Sequence, residues 1–224
     1  MNIATTLRYC DLKSPDAWSY RYYIMHDYML MAQKYGIGMC AVMTEYDCER
    51  IAEQCSGLII PGSGTNINPK YYGGEDKPEI VDEYALDAKL IKCFLEKGKP
   101  IFGVCGGHQE LNIYFGGTIR KVATGVSHSG EGLKHNITIE KGSFVYDVFG
   151  TEKAETNTFH GWEIGELAPD LRAVAWSEDG VIEAVENKTL KVFATQWHPE
   201  QSFHTGDPIE NKFFENFLEL CKSV

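Results

Sequence analysis

Along the first hundred residues, short apolar runs alternate with stretches whose apolar positions recur every three or four residues. Ile3-Ala4-Thr5 opens as a short β-type segment, and Ile37 to Val42 and Gly57-Leu58-Ile59-Ile60 read as the second and third strands. From Trp18 to Tyr35, the residues Tyr22, Met25, Met29 and Ala32 fall at helical spacing, which predicts an amphipathic helix ending at Gly36. This Tyr/Met-rich stretch reads as a core helix, with a homodimer surface as the alternative. Pro61-Gly62-Ser63-Gly64 stops the third strand sharply, and a loop rich in Gly, Pro and Asn runs to Pro78. A second helix from Ile80 to Glu96 places Leu86, Leu90, Ile91, Phe94 and Leu95 on one face and closes at Gly98. Pro100 then introduces the strand Ile101-Phe102-Gly103-Val104. Strands joined by helical crossovers build a parallel sheet with helices on both faces, so the fold class is α/β.

The second half changes character. His135-Asn-Ile-Thr-Ile-Glu alternates like a half-exposed strand, and Arg172 to Trp176, Val181 to Val185 and Lys191 to Ala194 are strand-like with turns between. An amphipathic helix carrying Ile209, Phe213, Phe214, Phe217, Leu218 and Cys221 ends the chain. No repeat, low-complexity linker or composition break divides residues 1–224, which read as a single domain.

Charge narrows the partners. Lys+Arg number 21 against 32 Asp+Glu, a formal net charge of −11, which repels phosphate backbones and anionic lipid. Neither nucleic acid nor a membrane surface is an expected partner, although a small anionic ligand in a local pocket is compatible. The opening MNIATTLRYC lacks a basic region followed by an apolar stretch, and no apolar run approaches the ~18 residues of a membrane helix. Seven cysteines occur without any C-x-x-C, so the usual zinc and redox spacings are absent. Most are expected to be buried, reduced and inert, a cytoplasmic pattern.

One cysteine stands apart. In Gly103-Val104-Cys105-Gly106-Gly107-His108-Gln109, a buried strand runs into a glycine-flanked cysteine and then a helix, Glu110 to Phe115. Such a turn strains the nucleophile's backbone, exposes its Sγ above the sheet edge, and aims a helix N-terminus at it. The base is sought in Gln196-Trp197-His198-Pro199-Glu200, where the i, i+2 spacing of an extended segment lets Glu200 orient the His198 ring. A turn at Pro61-Gly62-Ser63-Gly64, at the carboxyl end of another strand, presents backbone N–H groups to the same edge. With the N–H of Gly106 it makes an oxyanion hole. His108 reads as packing rather than a second base, and His128 and His135 as satisfied structural residues or rim of the site. Arg8, at the end of the first strand, reads as an ion-pair partner ahead of a substrate contact.

These three motifs, P-G-S, G-V-C-G-G-H-Q and Q-W-H-P-E, resemble those of class I glutamine amidotransferases. They are more similar still to the stand-alone γ-glutamyl hydrolases of the γ-glutamyl-γ-aminobutyrate hydrolase (peptidase C26) type. Supporting stretches are Asn68-Pro69 with Tyr71-Tyr72-Gly73, Asn157-Thr158-Phe159-His160 ahead of Leu167-Ala168-Pro169, and Asp179 to Ala184. The resemblance implies a flavodoxin-like three-layer α/β/α sandwich with a mainly parallel central sheet. It implies Cys105 as nucleophile, His198 as base and acid, Glu200 as its orienter, and the N–H groups of Ser63 and Gly106 as oxyanion hole. Gly62, Gln109, Asn157 and His160 become substrate contacts. The chain departs from the subgroup at Gly106, where arginine is usual, and at His160-Gly161-Trp162, where His-His-Gln is usual. Both departures fall near the leaving-group side.

The expectation is therefore hydrolysis of a γ-glutamyl amide through a cysteine thioester, releasing glutamate and an amine, without metal or organic cofactor. A glutaminase subunit passing ammonia to a synthetase on another chain is the alternative, since the 224 residues leave no room for a fused synthetase. A catalytically silent binding protein on the same fold is the third reading.

Overall fold

The computed structural model describes residues 1–11, 20–123 and 125–223. The chain runs β1 (Asn2–Thr6), β2 (Arg8–Asp11), β3 (Tyr20–Tyr23), α1 (His26–Tyr35), β4 (Gly38–Val42), α2 (Cys48–Gln54) and β5 (Gly57–Ile60). It continues through α3 (Tyr84–Glu96), β6 (Ile101–Val104), α4 (Gly106–Tyr114), β7 (Ile119–Lys121), β8 (Ser129–Ile139), α5 (Phe144–Phe149), β9 (Lys153–Phe159) and β10 (Trp162–Ile164). β11 (Arg172–Ser177), β12 (Ile182–Asn187), β13 (Val192–Thr195), α6 (Ser202–Thr205) and α7 (Asn211–Lys222) complete it.

Nine strands form one sheet in the order β4-β1-β5-β6-β13-β12-β11-β8-β9. From β4 to β13 the neighbours are parallel, and from β13 onward they are antiparallel. Alternation along the parallel strands sorts side chains between two layers. Leu58 and Ile60 pack with Leu90, Ile91 and Phe94 of α3, Ile51 of α2 and Leu111 of α4. Ile59 and Phe102 face the other way, onto Met31 of α1, Val145 and Val148 of α5, and Phe213, Phe214 and Phe217 of α7. The result is the three-layer α/β/α sandwich, with the carboxyl ends of β5, β6 and β13 side by side.

Several boundaries differ from the sequence-based expectation. The helix predicted over Trp18–Tyr35 begins only at His26; Tyr20–Tyr23 instead pairs antiparallel with Arg8–Asp11, and Trp18 lies outside the described residues. Tyr28 and Met31 are core, whereas Tyr20, Tyr22 and Met29 are exposed, so only part of the stretch packs inward. The helix expected from Ile80 starts at Tyr84, and the elbow helix starts at Gly106 rather than Glu110. All seven cysteines are free thiols, of which Cys48, Cys55, Cys105 and Cys221 are buried while Cys10, Cys40 and Cys93 are half-exposed. Burial pushes the thiols of Cys48, Cys55 and Cys221 up to about 11, 12 and 12. Among the described residues no helix is long and apolar enough to cross a membrane.

Candidate active site

β6 delivers Cys105 to the sheet edge with φ 51° and ψ −100°, one of two non-glycine residues with positive φ among the described residues. An L-residue adopts this conformation only where the surroundings enforce it. Here the Cys105 N–H donates to Thr195 O (2.8 Å), and its carbonyl accepts from Gln109 N (3.2 Å), the first turn of α4. Gly107 must be glycine, because a Cβ there would overlap the Ile60 carbonyl. The nucleophile candidate therefore sits at a helix N-terminus, on a turn locked between two strands.

β13 brings the base candidate. Trp197, fully buried against Phe149 and Phe213, anchors the segment that follows the strand. The His198 peptide is gripped on both sides by Asn157, whose Oδ1 accepts from His198 N (2.9 Å) and whose Nδ2 donates to His198 O (2.8 Å). His198 Nδ1 lies 2.7 Å from Oε1 of the buried Glu200. The extended geometry expected for this pair is replaced by a 3₁₀ turn over Pro199–Gln201, which still brings ring and carboxylate together. Burial works against a charged imidazole, but the charges of Glu200 and Cys105 outweigh it and hold His198 well above the usual histidine range.

Gly62 measures how close the pieces are. A Cβ built on it would lie 2.9 Å from His198 Cε1 and 3.2 Å from Cys105 Cβ, so the turn after β5 presses against both side chains. The backbone N of Ser63 lies 3.0 Å from where a Gly106 Cβ would be, which sets the two expected oxyanion donors next to each other. Ser63 Oγ donates to Glu83 Oε2 (2.5 Å) and accepts from Thr65 N (2.9 Å).

Arg8 supports this turn from behind. Its Nε and Nη2 donate to Pro61 O at 3.1 and 2.8 Å, and Nη1 contacts Asp87 at 2.5 Å. Glu110 and Glu83 stand 3.4 and 4.0 Å away. The ion-pair expectation for Arg8 thus matches its position; it is buried and holds a loop. Burial pushes Glu110 well above the carboxylate range, against the pull of Arg8. Arg8→Met would strand these buried acids. Loss of one partner from a buried ionic cluster costs about 3–5 kcal/mol. A drop in Tm of roughly 10 °C by calorimetry is expected for a domain of this size.

Sequence reasoning assigned no role to Gln196. Its Nε2 donates toward Cys105 Sγ (3.6 Å), while its Oε1 receives Gln109 Nε2 (3.1 Å) and faces His108 Nδ1 (3.2 Å). Burial drives His108 down to about 3, so it stays neutral as a packing residue. Gln196 belongs to the Q-W-H-P-E motif, and its place at a strand end beside His198 is the signal that could have marked it. Gln109 also donates to Trp162 O (2.9 Å), and Cys105 Sγ lies 3.9 Å from Phe159 O.

These residues open into a cleft of about 1360 Å³ lined by Gly62, Ser63, Cys105, Gly106, Gln109, Asn157, His160 and His198, among others. His160 borders it, but its Nδ1 is 3.0 Å from Trp162 O and its Nε2 faces Glu183. The buried Glu210 also lines the cleft. Burial, with the charges of Asp207 and Glu200, raises its carboxyl to about 8 against an ordinary 4.5. A raised folded-state value means that stability is fully present below pH 4.5 and is lost as the pH rises toward 8. By linkage the loss is about 3–5 kcal/mol. Glu210→Gln is expected to remove this decline, so denaturant unfolding curves of variant and parent should diverge between pH 5 and pH 9.

A strained cysteine between β6 and α4, with a His–Glu pair after the adjacent strand, defines a class I glutamine amidotransferase-like protein. The chain belongs to the Peptidase C26 family, whose model matches residues 3–200. The glutamine amidotransferase-like protein YvdE of Lactococcus lactis is 36% identical over 174 residues, 71% of this chain and 72% of its own. The γ-glutamyl-γ-aminobutyrate hydrolase PuuD of Escherichia coli K12 is 28% identical over 192 residues, 78% of this chain and 75% of its own. The crystal structure of a glutamine amidotransferase from Thermotoga maritima matches with TM-score 0.69, covering 99% of this chain and 97% of that one. At 14% identity that likeness concerns the fold. Together these relatives make the chain a glutamine amidotransferase-like protein of the amidohydrolase type.

Proposed function

We propose that the chain hydrolyses a γ-glutamyl amide through a thioester on Cys105. The observation that carries this reading is the His198 ring, set 2.7 Å from Glu200 on one side and interacting with the Cys105 side chain on the other, with the Gly62 turn against both. The Cys105 thiolate attacks the γ-carbonyl carbon, and the oxygen's new charge falls toward the N–H groups of Ser63 and Gly106. Collapse breaks the C–N bond as the His198 imidazolium gives its proton to the departing amine. Water, losing its proton to His198, attacks the thioester carbonyl, expels the thiolate and releases glutamate. Gln109, Gly62 and Asn157 serve as the glutamyl side of the site, Asn157 chiefly by holding the His198 peptide.

Two features favour a substituted amine over free glutamine. The cleft of about 1360 Å³ exceeds the ~300–1,000 Å³ of ordinary small-molecule sites. Open space surrounds the position of Gly161, where the subgroup's second histidine is replaced. The test is glutamate release by the purified chain across a panel of γ-glutamyl amides and glutamine. Turnover of substituted amides by the chain alone supports the proposal. Slow hydrolysis of glutamine alone, stimulated by a synthetase chain, would support the ammonia-delivering alternative instead.

A further inference from the structure

Behind the cleft wall, four side chains from three parts of the chain meet around Glu183 Oε1. Nδ1 of His128, Nε2 of His135 on β8, and Nε2 of His160 each lie 3.6 Å from Oε1 of Glu183 on β12. That spacing is too long for hydrogen bonds. All three nitrogens and both Glu183 oxygens are buried without a hydrogen-bond partner among the described residues. Glu183 is fully buried, His128 and His160 nearly so, and the His135 side chain is 13% exposed. Burying this many polar atoms together without hydrogen-bond partners costs several kcal/mol unless something answers them.

We propose that His128, His135, His160 and Glu183 bind a divalent transition-metal ion, and that zinc fits this set. Donors around a tetrahedral zinc, with bonds of about 2.0–2.2 Å, stand about 3.4 Å from one another. Here each imidazole nitrogen stands 3.6 Å from Glu183 Oε1, and the donor atoms of His128, His135 and Glu183 lie within 4.8 Å of one another, with His160 as the fourth donor beside them. The far nitrogens of two rings are already committed. His128 Nε2 meets Asp179 Oδ2 at 2.9 Å, and His160 Nδ1 meets the Trp162 carbonyl at 3.0 Å. Both acceptors hold the ring proton on the outer nitrogen and leave the inner one as a bare lone pair, the arrangement that metal-binding histidines use. Three imidazoles and one carboxylate suit zinc in donor type, and four protein donors make a closed, structural site.

The ion would tie the start of β8 and the segment after β9 to β12. That segment is flanked by Phe159 at the end of β9, whose carbonyl faces Cys105 Sγ, and Trp162 at the start of β10, whose carbonyl receives Gln109. The metal therefore braces the cleft wall from outside the reaction path, and the hydrolysis written above needs no step through it. The sequence-based expectation of no metal rested on the absence of C-x-x-C spacings, which a His/Glu donor set does not need. The site also gives His160 a second task at the edge of the cleft.

The test is metal content of the full chain, purified without a metal-affinity step and measured by mass spectrometry of the elements. One zinc per chain is expected, removed by a strong chelator with a fall in Tm and restored by zinc salt alone. His135→Ala, the least buried ligand, should bind zinc at least tenfold more weakly, whereas Cys105→Ala should bind as the parent does. Cobalt(II) added to the chelated parent should give tetrahedral d–d absorption, a readout that needs no variant. Failure of the stripped parent to take up zinc or cobalt stoichiometrically, or parent-like zinc affinity in folded His135→Ala, would overturn the proposal.

Discussion

Cys105→Ala is expected to lower glutamate release from a γ-glutamyl amide by on the order of 10⁴-fold or more, since the covalent route is lost. The residue is a clean target. Besides facing His198, its Sγ makes long contacts to Gln196 at 3.6 Å and Phe159 O at 3.9 Å, so its removal leaves the fold's own hydrogen bonds in place. The positive φ of 51° strains alanine no more than it strains cysteine. Initial-rate measurements, with Tm alongside, should therefore show lost turnover and a melting midpoint close to the parent's. Retained turnover in the variant would remove the thioester from the mechanism. The six other thiols do not compensate: burial pushes Cys48, Cys55 and Cys221 far up, and none of the six lines the cleft.

Glu200→Gln should lower kcat by about 10²–10⁴-fold with little change in KM. Its carboxylate receives Nδ1–H of His198, which fixes the tautomer whose Nε2 would serve the nucleophile and leaving group in the proposed reaction. A glutamine amide in that place offers N–H to Nδ1 and favours the wrong tautomer. The variant also carries a pH signature with a definite sign. Glu200's charge helps hold His198 well above the usual histidine range, so its loss lowers the His198 value. The leaving amine then loses its proton donor sooner as pH rises, and the alkaline limb of the kcat profile moves to lower pH. A merely structural role for Glu200 would change stability and leave that limb in place.

How much of this was legible from the residues depended on how local the signal was. Gly57–Ile60 and Ile101–Val104 match their predicted bounds because each is buried on both faces and bracketed by Pro or Gly. The stretch before α1 misled, since Tyr22 falls at helical spacing from Met25 yet is an exposed residue of a strand. Two short helices, Cys48–Gln54 and Phe144–Phe149, offer too few turns to establish a period. At the site, Cys105, His198 and Glu200 were readable because each motif is contiguous. The support around them was not. Arg8 meets Glu110 across 102 positions and Gln196 meets Cys105 across 91, contacts that only the sheet order creates. The His128–His135–His160–Glu183 cluster lies further still from any spacing rule, with donors drawn from three parts of the antiparallel half.

In the proposed reaction Cys105 is a nucleophile poised for a γ-glutamyl carbonyl. Intact-mass measurement after brief exposure to an electrophilic glutamine analogue tests it most directly. One adduct per chain, mapped to Cys105, prevented by prior γ-glutamyl substrate and absent from Cys105→Ala, is the predicted result. An unmodified chain, or adducts spread over Cys10, Cys40 and Cys93 with Cys105 untouched, would contradict it.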